Sequence, residues 1–157
     1  MDSLDFVIRK YDSADKADVL ELIDLNTPMF FEFSEKEIFK NYLEELSSDY
    51  YVLEKNNKGI IAVGGINFHV DSNDSARLAW DITHPNYQRK GLGSKLLRFR
   101  LNQIQANPNI RKVFVRTSQF VYNFYEKEGF ELIFIEENYW AKGYHLYKLA
   151  YTFKDEK

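Results

Sequence analysis

The sequence contains no cysteine, which excludes disulfides, thiolate metal sites and a cysteine nucleophile. It also lacks any run that approaches the ~18 apolar residues of a membrane-spanning helix. The first residues, MDSLDFVIRKY, do not show the basic and apolar pattern of a signal peptide. These absences together predict a cytoplasmic protein with no membrane partner.

Strong charge of one sign is missing as well. The net charge is −3 and the basic residues are scattered, so no broad patch for nucleic acid or an anionic membrane is predicted. The three histidines stand apart from one another and from clustered carboxylates, and we expect no metal site. Aromatic residues, by contrast, make up 17% of the 157 residues, which predicts one folded domain over residues 1–157 with a dense core.

The spacing of apolar residues predicts a mixed α/β order of elements. Strands are expected at 6–11, 49–56, 60–71, 76–83, 112–117, 131–140 and 144–153, and helices at about 15–25, from Ser34 onward, at 91–105 and at 119–130. Ser34 and Glu37 have the spacing of a capping box, and the apolar stripe after them consists of Ile38, Phe39, Tyr42, Leu43 and Leu46. Gly64 and Gly65 in mid-strand predict a bulge or a close neighbour.

One strand-to-helix turn combines two glycines with basic residues, in the segment QRKGLGS over 88–94. The first N–H groups of a helix lack intrahelical partners, and the helix dipole adds positive charge there. Gly91 and Gly93 carry no side chain that would hold an anion away, and Arg89 and Lys90 add charge. The segment therefore predicts a phosphate or pyrophosphate site, the alternative being a plain glycine turn with solvated basic residues.

Two motifs resemble the GNAT family of N-acetyltransferases. Gln88-x-x-Gly91-x-Gly93, between a strand ending in DITHP and the segment SKLL, is similar to the family's acyl-CoA-binding motif. The segment FYEKEGF (124–130) resembles the family's helix that ends in YEKxGF. The order of elements also agrees over nearly the whole chain. The resemblance implies a GNAT-type α/β fold, with a central mixed, mostly antiparallel sheet of about seven strands and about four helices.

The resemblance implies that acetyl-CoA is the cosubstrate and that its pyrophosphate lies on the backbone amides of the turn. Carried over by position, the contacts are Gln88, Arg89, Lys90, Gly91, Leu92, Gly93 and Ser94. Ile82 and Thr83 would offer backbone groups to the pantetheine arm. Ser118 stands about where relatives often have Asn, as a cosubstrate contact or as a cap of the next helix. No metal is required, because acetyl-CoA is already an activated thioester.

The catalytic assignments follow from the same resemblance. Tyr125 falls on the family's tyrosine, which implies a general acid for the leaving thiolate; the alternative is a ring that packs the helix on the sheet. Many members carry Glu where Ala79 stands here. Asp81, two residues on and of the same strand parity, is the candidate base. His84 and deprotonation through water are the alternatives.

The family fold implies an acceptor pocket walled by the segment between the first two helices and by the last strands. The candidate residues are Phe30, Phe31, Glu32, Phe33, Tyr139 and Trp140, with Glu32 or Glu137 attracting a cationic amine. The alternative is that these rings belong to the core. The acceptor would be a small-molecule amine, an amino acid or a peptide amine, and the apolar segment 144–153 suits a homodimer. Two other functions stay open: a CoA-binding module without turnover, and an interaction domain that binds nothing at the turn.

Overall fold

A computed structural model describes residues 5–45 and 47–154 of the chain. Its strands are β1 (Phe6–Lys10), β2 (Tyr50–Lys55), β3 (Gly59–Phe68), β4 (Ser75–Thr83), β5 (Lys112–Thr117), β6 (Glu131–Ala141) and β7 (Tyr144–Thr152). Its α-helices are α1 (Lys16–Leu25), α2 (Glu35–Glu45), α3 (Leu92–Gln105) and α4 (Tyr122–Lys127). The predicted order of strands and helices is therefore confirmed.

The seven strands follow the order β1-β2-β3-β4-β5-β7-β6 in one sheet. β4 and β5 are parallel, from Ser75 opposite Lys112 to Leu78 opposite Val115, and α3 supplies the crossover that a parallel pair requires. The pairs β1–β2, β2–β3, β5–β7 and β6–β7 are antiparallel. The predicted mixed, mostly antiparallel sheet with seven strands and four helices is confirmed.

The chain divides into two compact units, which are described separately below. The first unit contains Met1–Gly65 and Trp80–Arg100, and the second contains Ile66–Ala79 and Leu101–Lys157. The prediction of a single domain over residues 1–157 stays a prediction.

The core of the first unit contains an apolar face of α1 and an aromatic cluster formed by β2, α2 and Tyr11. α1 buries Val19, Leu22 and Ile23, whose spacing places them on one helical face. The ring of Tyr50 on β2 meets the rings of Tyr11, Phe39 and Tyr42 at centroid distances of 5.9, 6.0 and 5.5 Å. Full burial of such a side chain contributes on the order of 1.5–3 kcal/mol, so this cluster is a main source of stability for the unit.

The start of α2 differs from the predicted capping box. The hydroxyl and the N–H of Ser34 both donate to the carboxylate of Glu32, and the N–H of Glu32 donates to Glu35 at 2.8 Å. Glu32 therefore bonds to both neighbours: its carboxylate accepts from Ser34 and its N–H donates to the Glu35 carboxylate. The Glu32 carboxylate can engage Ser34 because it is an acceptor only two residues away. Of the predicted stripe, Phe39, Tyr42 and Leu43 are buried, Ile38 is exposed, and Leu46 lies outside the described residues.

The glycine pair in β3 marks a close approach of side chains, as predicted. A Cβ on Gly64 would stand 2.7 Å from the guanidinium of Arg100 and 2.7 Å from the Asp81 carboxylate. A Cβ on Gly65 would stand 2.6 Å from the hydroxyl of Tyr42. Larger residues would collide with these groups. In the β2–β3 pairing the register runs regularly through both glycines, with Tyr51 opposite Gly64 and Tyr50 opposite Gly65, and it shifts between Leu53 and Glu54.

In the second unit α4 packs on β7 through aromatic rings. Tyr122 meets Tyr147 with ring centroids 4.6 Å apart, and Phe130, just after the helix, meets Tyr151 at 5.3 Å. The helix is shorter than the predicted 119–130 and begins at Tyr122. Its last residue is Lys127, and Gly129 closes it as predicted, because its φ of +100° lets the Phe130 N–H donate back to the Tyr125 carbonyl at 3.0 Å.

Candidate functional site

The turn before α3 reverses the backbone through two left-handed residues. Arg89 has a φ of 64° and Gly91 a φ of 82°, and the first bond into the helix runs from the Lys95 N–H to the Gly91 carbonyl at 3.1 Å. A Cβ at Gly91 would meet no heavy atom within 4 Å, so the backbone conformation rather than crowding calls for glycine there. The open space leaves the head of α3 accessible to a ligand.

The residues of this turn divide into an exposed and an anchored part. Arg89, Lys90 and Gly91 are exposed, whereas the side chain of Leu92 is fully buried. The whole residue is 0% exposed, backbone included, so the predicted cosubstrate contact at Leu92 stays a prediction. Gly93 and Ser94, the remaining predicted contacts of the turn, are half-buried. This arrangement of backbone amides and basic side chains at a helix N-terminus is suited to an anion.

The side chain of Gln88 points to the protein interior and fixes the entrance of the turn. Its Nε2 donates to Asn26 Oδ1 at 3.1 Å and to the Thr83 carbonyl at 3.3 Å. The Nδ2 of Asn26 donates in turn to the carbonyls of Thr83 (3.1 Å) and Leu22 (2.8 Å). The predicted role of Gln88 as a cosubstrate contact stays a prediction, while its observed bonds hold the turn in place.

Asn26 also holds the segment that was predicted to bind the acceptor. Its carbonyl accepts the N–H of Phe30 at 2.9 Å and that of Phe31 at 3.2 Å. The residue is only 2% exposed, so each of these bonds is shielded from water. Sequence reasoning missed Asn26. The available signal was an amide residue directly after a helix and two residues before Pro28.

β4 loses its regular alternation at Trp80, just before the predicted pantetheine contacts Ile82 and Thr83. Trp80 has a φ of 52°, and its carbonyl accepts the hydroxyl of Tyr50 at 2.7 Å. Tyr50 is fully buried, and burial raises the pKa of its hydroxyl well above the ordinary value. A left-handed residue within a strand interrupts the two-residue period. The parity argument that linked Asp81 to Ala79 is therefore wrong.

Asp81, the predicted base, forms a two-point ion pair with Arg100. The Oδ1 and Oδ2 atoms accept from Nη1 and Nη2 of Arg100 at 2.6 and 3.0 Å, and Nη1 also donates to the Gly65 carbonyl at 3.1 Å. Arg100 is only 1% exposed, and a buried guanidinium requires such a carboxylate. The pair gives Asp81 a structural role, and its role as a base stays a prediction.

His84, the alternative base, caps the short helical turn Pro85–Tyr87. Its Nδ1 accepts the N–H of Asn86 at 3.1 Å, and its ring stands edge-on to Tyr87 at 5.5 Å. The Nδ1 lone pair is thereby engaged, so the neutral ring carries its proton on Nε2. His84 would have to give up this cap in order to take a proton.

The aromatic candidates of the first unit differ in exposure. Phe31 stacks on Trp80 with centroids 6.2 Å apart and an interplanar angle of 18°, and Trp80 meets Phe39 at 4.9 Å. Phe30 is half-buried, whereas Phe33 is 71% exposed. The bonds from Ser34 lower the pKa of Glu32 and keep its carboxylate in the charged form. Phe31 therefore belongs to a packed cluster, and Phe33 is presented to solvent.

In the second unit, Tyr125 and Ser118 occupy the connection from β5 through α4. Tyr125 is 2% exposed, and its ring lies 5.0 Å from that of Phe124 and 5.7 Å from that of Phe130. These contacts are compatible with both predicted roles of Tyr125. The ring can pack α4 on the sheet, and the same packing can hold the hydroxyl of a general acid in one orientation. Ser118 Oγ accepts the Phe120 N–H at 3.2 Å, and α4 has Val121 at its N-cap without a side-chain bond. The predicted helix cap at Ser118 is therefore wrong.

The two aromatic candidates on β6 surround a residue that sequence reasoning missed. The guanidinium carbon of Arg116 lies 4.9 Å from the ring centroid of Tyr139 and 5.3 Å from that of Trp140. An N–H of Arg116 also donates to the Tyr139 hydroxyl, and the Trp140 indole N–H donates to the Thr117 carbonyl at 3.1 Å. The guanidinium of Arg116 thus lies against the two rings that were predicted to bind a cationic amine.

Comparison with known families decides the identity of the fold. The family model described as the acetyltransferase (GNAT) domain matches residues 47–132, which is more than half of the chain. The chain belongs to the GNAT acetyltransferase family. The match contains the turn before α3, Ser118 and Tyr125, whereas Phe30–Phe33, Tyr139 and Trp140 lie outside it.

Solved structures agree with the GNAT assignment at the level of the fold, and 477 chains match. Ard1 from Thermoplasma volcanium is 16% identical with a TM-score of 0.79, over 96% of this chain and 99% of that one. The ribosomal-protein-S18-alanine N-acetyltransferase from Escherichia coli is 17% identical with a TM-score of 0.74, over 94% and 93%. N-acetylglutamate synthase from Neisseria gonorrhoeae, solved with coenzyme A and N-acetyl-glutamate, is 18% identical with a TM-score of 0.73, over 95% and 35%. No curated protein sequence gives a significant match.

Two further observations concern the rest of this GNAT chain. Within residues 5–45 and 47–154, no group of three or more His, Cys, Asp or Glu side chains is arranged to hold a metal ion. His69 and His145 each have a local partner, the Asn73 carbonyl and the Asn138 N–H, both at 2.9 Å. In the same described ranges, no helix is long and apolar enough to cross a membrane.

Proposed function

We propose that the chain is an N-acetyltransferase of one domain, which transfers the acetyl group of acetyl-CoA to a primary amine by direct attack in a ternary complex. The observation that carries the proposal is the turn at the head of α3. It lies inside the segment matched by the acetyltransferase family model and has open space at Gly91. Its accessible amides and its two basic side chains are suited to a pyrophosphate.

In this proposal the turn 88–94 holds the cosubstrate chiefly through backbone N–H groups, and Arg89 and Lys90 supply positive charge. The pantetheine arm would meet the end of β4. The Thr83 carbonyl already accepts bonds from Asn26 and Gln88, which leaves Ile82 as the stronger candidate there. Ser118 is retained as a candidate contact in the second unit.

The chemical step needs two proton transfers. The amine nitrogen attacks the thioester carbonyl carbon, a C–N bond forms, and the C–S bond of the tetrahedral intermediate then breaks. We assign Tyr125 as the acid that protonates the leaving thiolate. Since Asp81 is bound to Arg100 and His84 to the Asn86 N–H, we propose that the ammonium form of the acceptor loses its proton through water.

The proposed acceptor is a small-molecule amine, an amino acid or a peptide amine. Among the structural neighbours, one is named for the alanine of a ribosomal protein and another was solved with N-acetyl-glutamate, which supports both amino-acid and peptide acceptors. No nucleic-acid or membrane partner is proposed. A homodimer is supported by three exposed apolar residues of the edge strand β6, Ile133, Phe134 and Ile135.

The test is release of the CoA thiol in the presence of acetyl-CoA and a panel of polyamines, amino acids and peptides. We expect one class of acceptor to release thiol well above background hydrolysis. Binding of acetyl-CoA without release across the panel would identify a CoA-binding module instead. Absence of both calorimetric heat and thermal stabilisation at millimolar acetyl-CoA would identify an interaction domain that binds nothing at the turn.

A further inference from the structure

Arg116 lies near the carboxyl end of β5, and two aromatic side chains of β6 hold its guanidinium. The rings of Tyr139 and Trp140 meet each other edge-on at 5.1 Å, and both lie within 5.3 Å of the guanidinium carbon. The Trp140 ring is itself fixed, because its N–H donates to the Thr117 carbonyl. These contacts limit the orientations that the planar guanidinium can adopt.

No carboxylate of the described residues pairs with Arg116, whose partners are the two rings and the Tyr139 hydroxyl. Three other arginines of the described residues, Arg9, Arg77 and Arg100, do have such partners. Arg77 pairs with Asp71 in the same unit, and Arg9 pairs with Asp15 in the first unit. Arg116 is therefore a positive charge for which residues 5–45 and 47–154 supply no carboxylate.

A guanidinium held in this way is suited to a carboxylate. Arginine carries five N–H donors in a rigid fork that matches the two oxygens of a carboxylate, and such charge-assisted pairs are the strongest hydrogen bonds in proteins. The same charge disfavours a polyamine, since two cations would share one aromatic surface. The side chain is only half-buried, so a ligand can approach it.

The position of Arg116 relates it to the proposed reaction. Tyr139 and Trp140 are the second-unit residues that the family fold implies for the acceptor, and Ser118, a candidate cosubstrate contact, follows two residues after Arg116. We propose that Arg116 binds a carboxylate of the acceptor, so that the substrate class is an amine that also carries a carboxylate. The carboxylate belongs either to a free amino acid or to an acidic peptide. This inference rests on the proposed function.

The experiment compares matched acceptors in the thiol-release assay. One pair is a free α-amino acid and its carboxamide; another is a peptide with an acidic residue near its N-terminus and the corresponding amide peptide. For the pair that the protein uses, we expect kcat/KM to be roughly 10- to 100-fold higher for the carboxylate form. The pair that shows the preference identifies whether the carboxylate comes from a free amino acid or from a peptide.

Variants of Arg116 separate recognition from folding. We expect Arg116→Gln to remove the preference, because KM should rise much more for the carboxylate acceptor than for its carboxamide. Arg116→Lys should restore part of the preference, because lysine keeps the charge but lacks the fork. Arg111→Gln, at an exposed arginine just before β5, is the matched control and should keep the full preference. Thermal midpoints confirm that each variant is folded.

The outcomes distinguish this inference from the proposal on which it rests. Turnover of amines with equal kcat/KM for the carboxylate and the amide forms would overturn the inference and leave the N-acetyltransferase proposal intact. A preference that persists in Arg116→Gln would also overturn it. Absence of turnover with every amine would overturn both.

Discussion

Arg100 in the first unit and Arg116 in the second carry the same guanidinium, but within the part of the chain that the structure describes only Arg100 is paired with a carboxylate. Arg100 is buried and bonded at two points to Asp81, while Arg116 is half-buried and lies against two aromatic rings. Burial of an unpaired charge costs several kcal/mol, on the order of what a whole domain has in net stability. Arg100 therefore needs its partner for folding, whereas Arg116 can leave its N–H groups to a ligand.

A second set of polar side chains in the first unit is also bonded within the chain. In the first unit the amides of Asn26 and Gln88 are bonded to each other and to backbone carbonyls, which fixes the turn before a ligand arrives. The family match contains that turn and excludes Tyr139 and Trp140. The turn is thus fixed by bonds within the chain, whereas in our proposal Arg116 completes its bonds only with a carboxylate of the acceptor.

The largest expected effect is loss of acetyl-CoA binding in Gly91→Glu, which adds bulk and negative charge where the pyrophosphate would lie. Gly59→Glu is the matched control. The φ of Gly91 is 82° and that of Gly59 is 78°, and both residues have open space at the Cβ position. The two variants therefore carry similar backbone strain. Calorimetry should detect binding in Gly59→Glu and none in Gly91→Glu. Equal affinities would show that the turn is not the cosubstrate site.

Next in size is the effect of Tyr125→Phe on turnover. Removal of the hydroxyl should lower kcat by about 10²- to 10⁴-fold, the usual contribution of one acid or base, with acetyl-CoA affinity nearly unchanged. The packing of the ring is kept. Tyr122→Phe, on the same helix and stacked on Tyr147, is the control and should keep normal turnover. An undiminished kcat in Tyr125→Phe would assign Tyr125 to packing alone.

The fold followed from features of the sequence that act locally. The alternation of apolar residues indicated the strands, and Gly129 marked the end of α4, because its positive φ is a local requirement of the backbone. The helix α2 begins where it was predicted, at Glu35, but the bonds of its cap were mispredicted, since Ser34 bonds to Glu32 and the spacing rule considered only Glu37. Rules of spacing fail where a nearer partner competes.

The candidate site was predictable only as far as it depends on a short motif. Gln88, Gly91 and Gly93 are close in sequence, so the turn could be recognised. The partners of Asp81 and Tyr139 are 19 and 23 residues away, and no pattern links Arg100 or Arg116 to them. The left-handed Trp80 is bonded to Tyr50, 30 residues away. Contacts of this length depend on the tertiary fold.

The comparison of the two arginines is tested most directly by Arg100→Met. This variant leaves the Asp81 carboxylate without its counter-charge and should lower the free energy of unfolding by about 3–5 kcal/mol. Arg116→Met should change it far less, because no carboxylate loses a partner. Denaturant unfolding measures both.

A double variant separates the structural role of Asp81 from its predicted role as base. Arg100→Met with Asp81→Leu should recover much of the lost stability, since replacement of both ions by apolar groups is often neutral. If Asp81 is not the base, the folded double variant keeps most of its turnover. A stable but inactive double variant would restore Asp81 as the base.

The smallest effect is expected from Asn26→Ala, which removes the amide that joins Gln88 to the Thr83 carbonyl. Loss of this network should weaken acetyl-CoA binding by about tenfold, because an unpaired buried group costs about 1–3 kcal/mol and part of that cost falls on the turn. Thr27→Val is the control. It removes the bond from the Thr27 hydroxyl to the Ile23 carbonyl at the same helix end without touching the turn. Both variants should lose stability, but only Asn26→Ala should raise the Kd for acetyl-CoA. If the Kd for acetyl-CoA rises equally in Asn26→Ala and Thr27→Val, the weaker binding comes from the lower stability of the end of α1. Asn26 would then not position the turn.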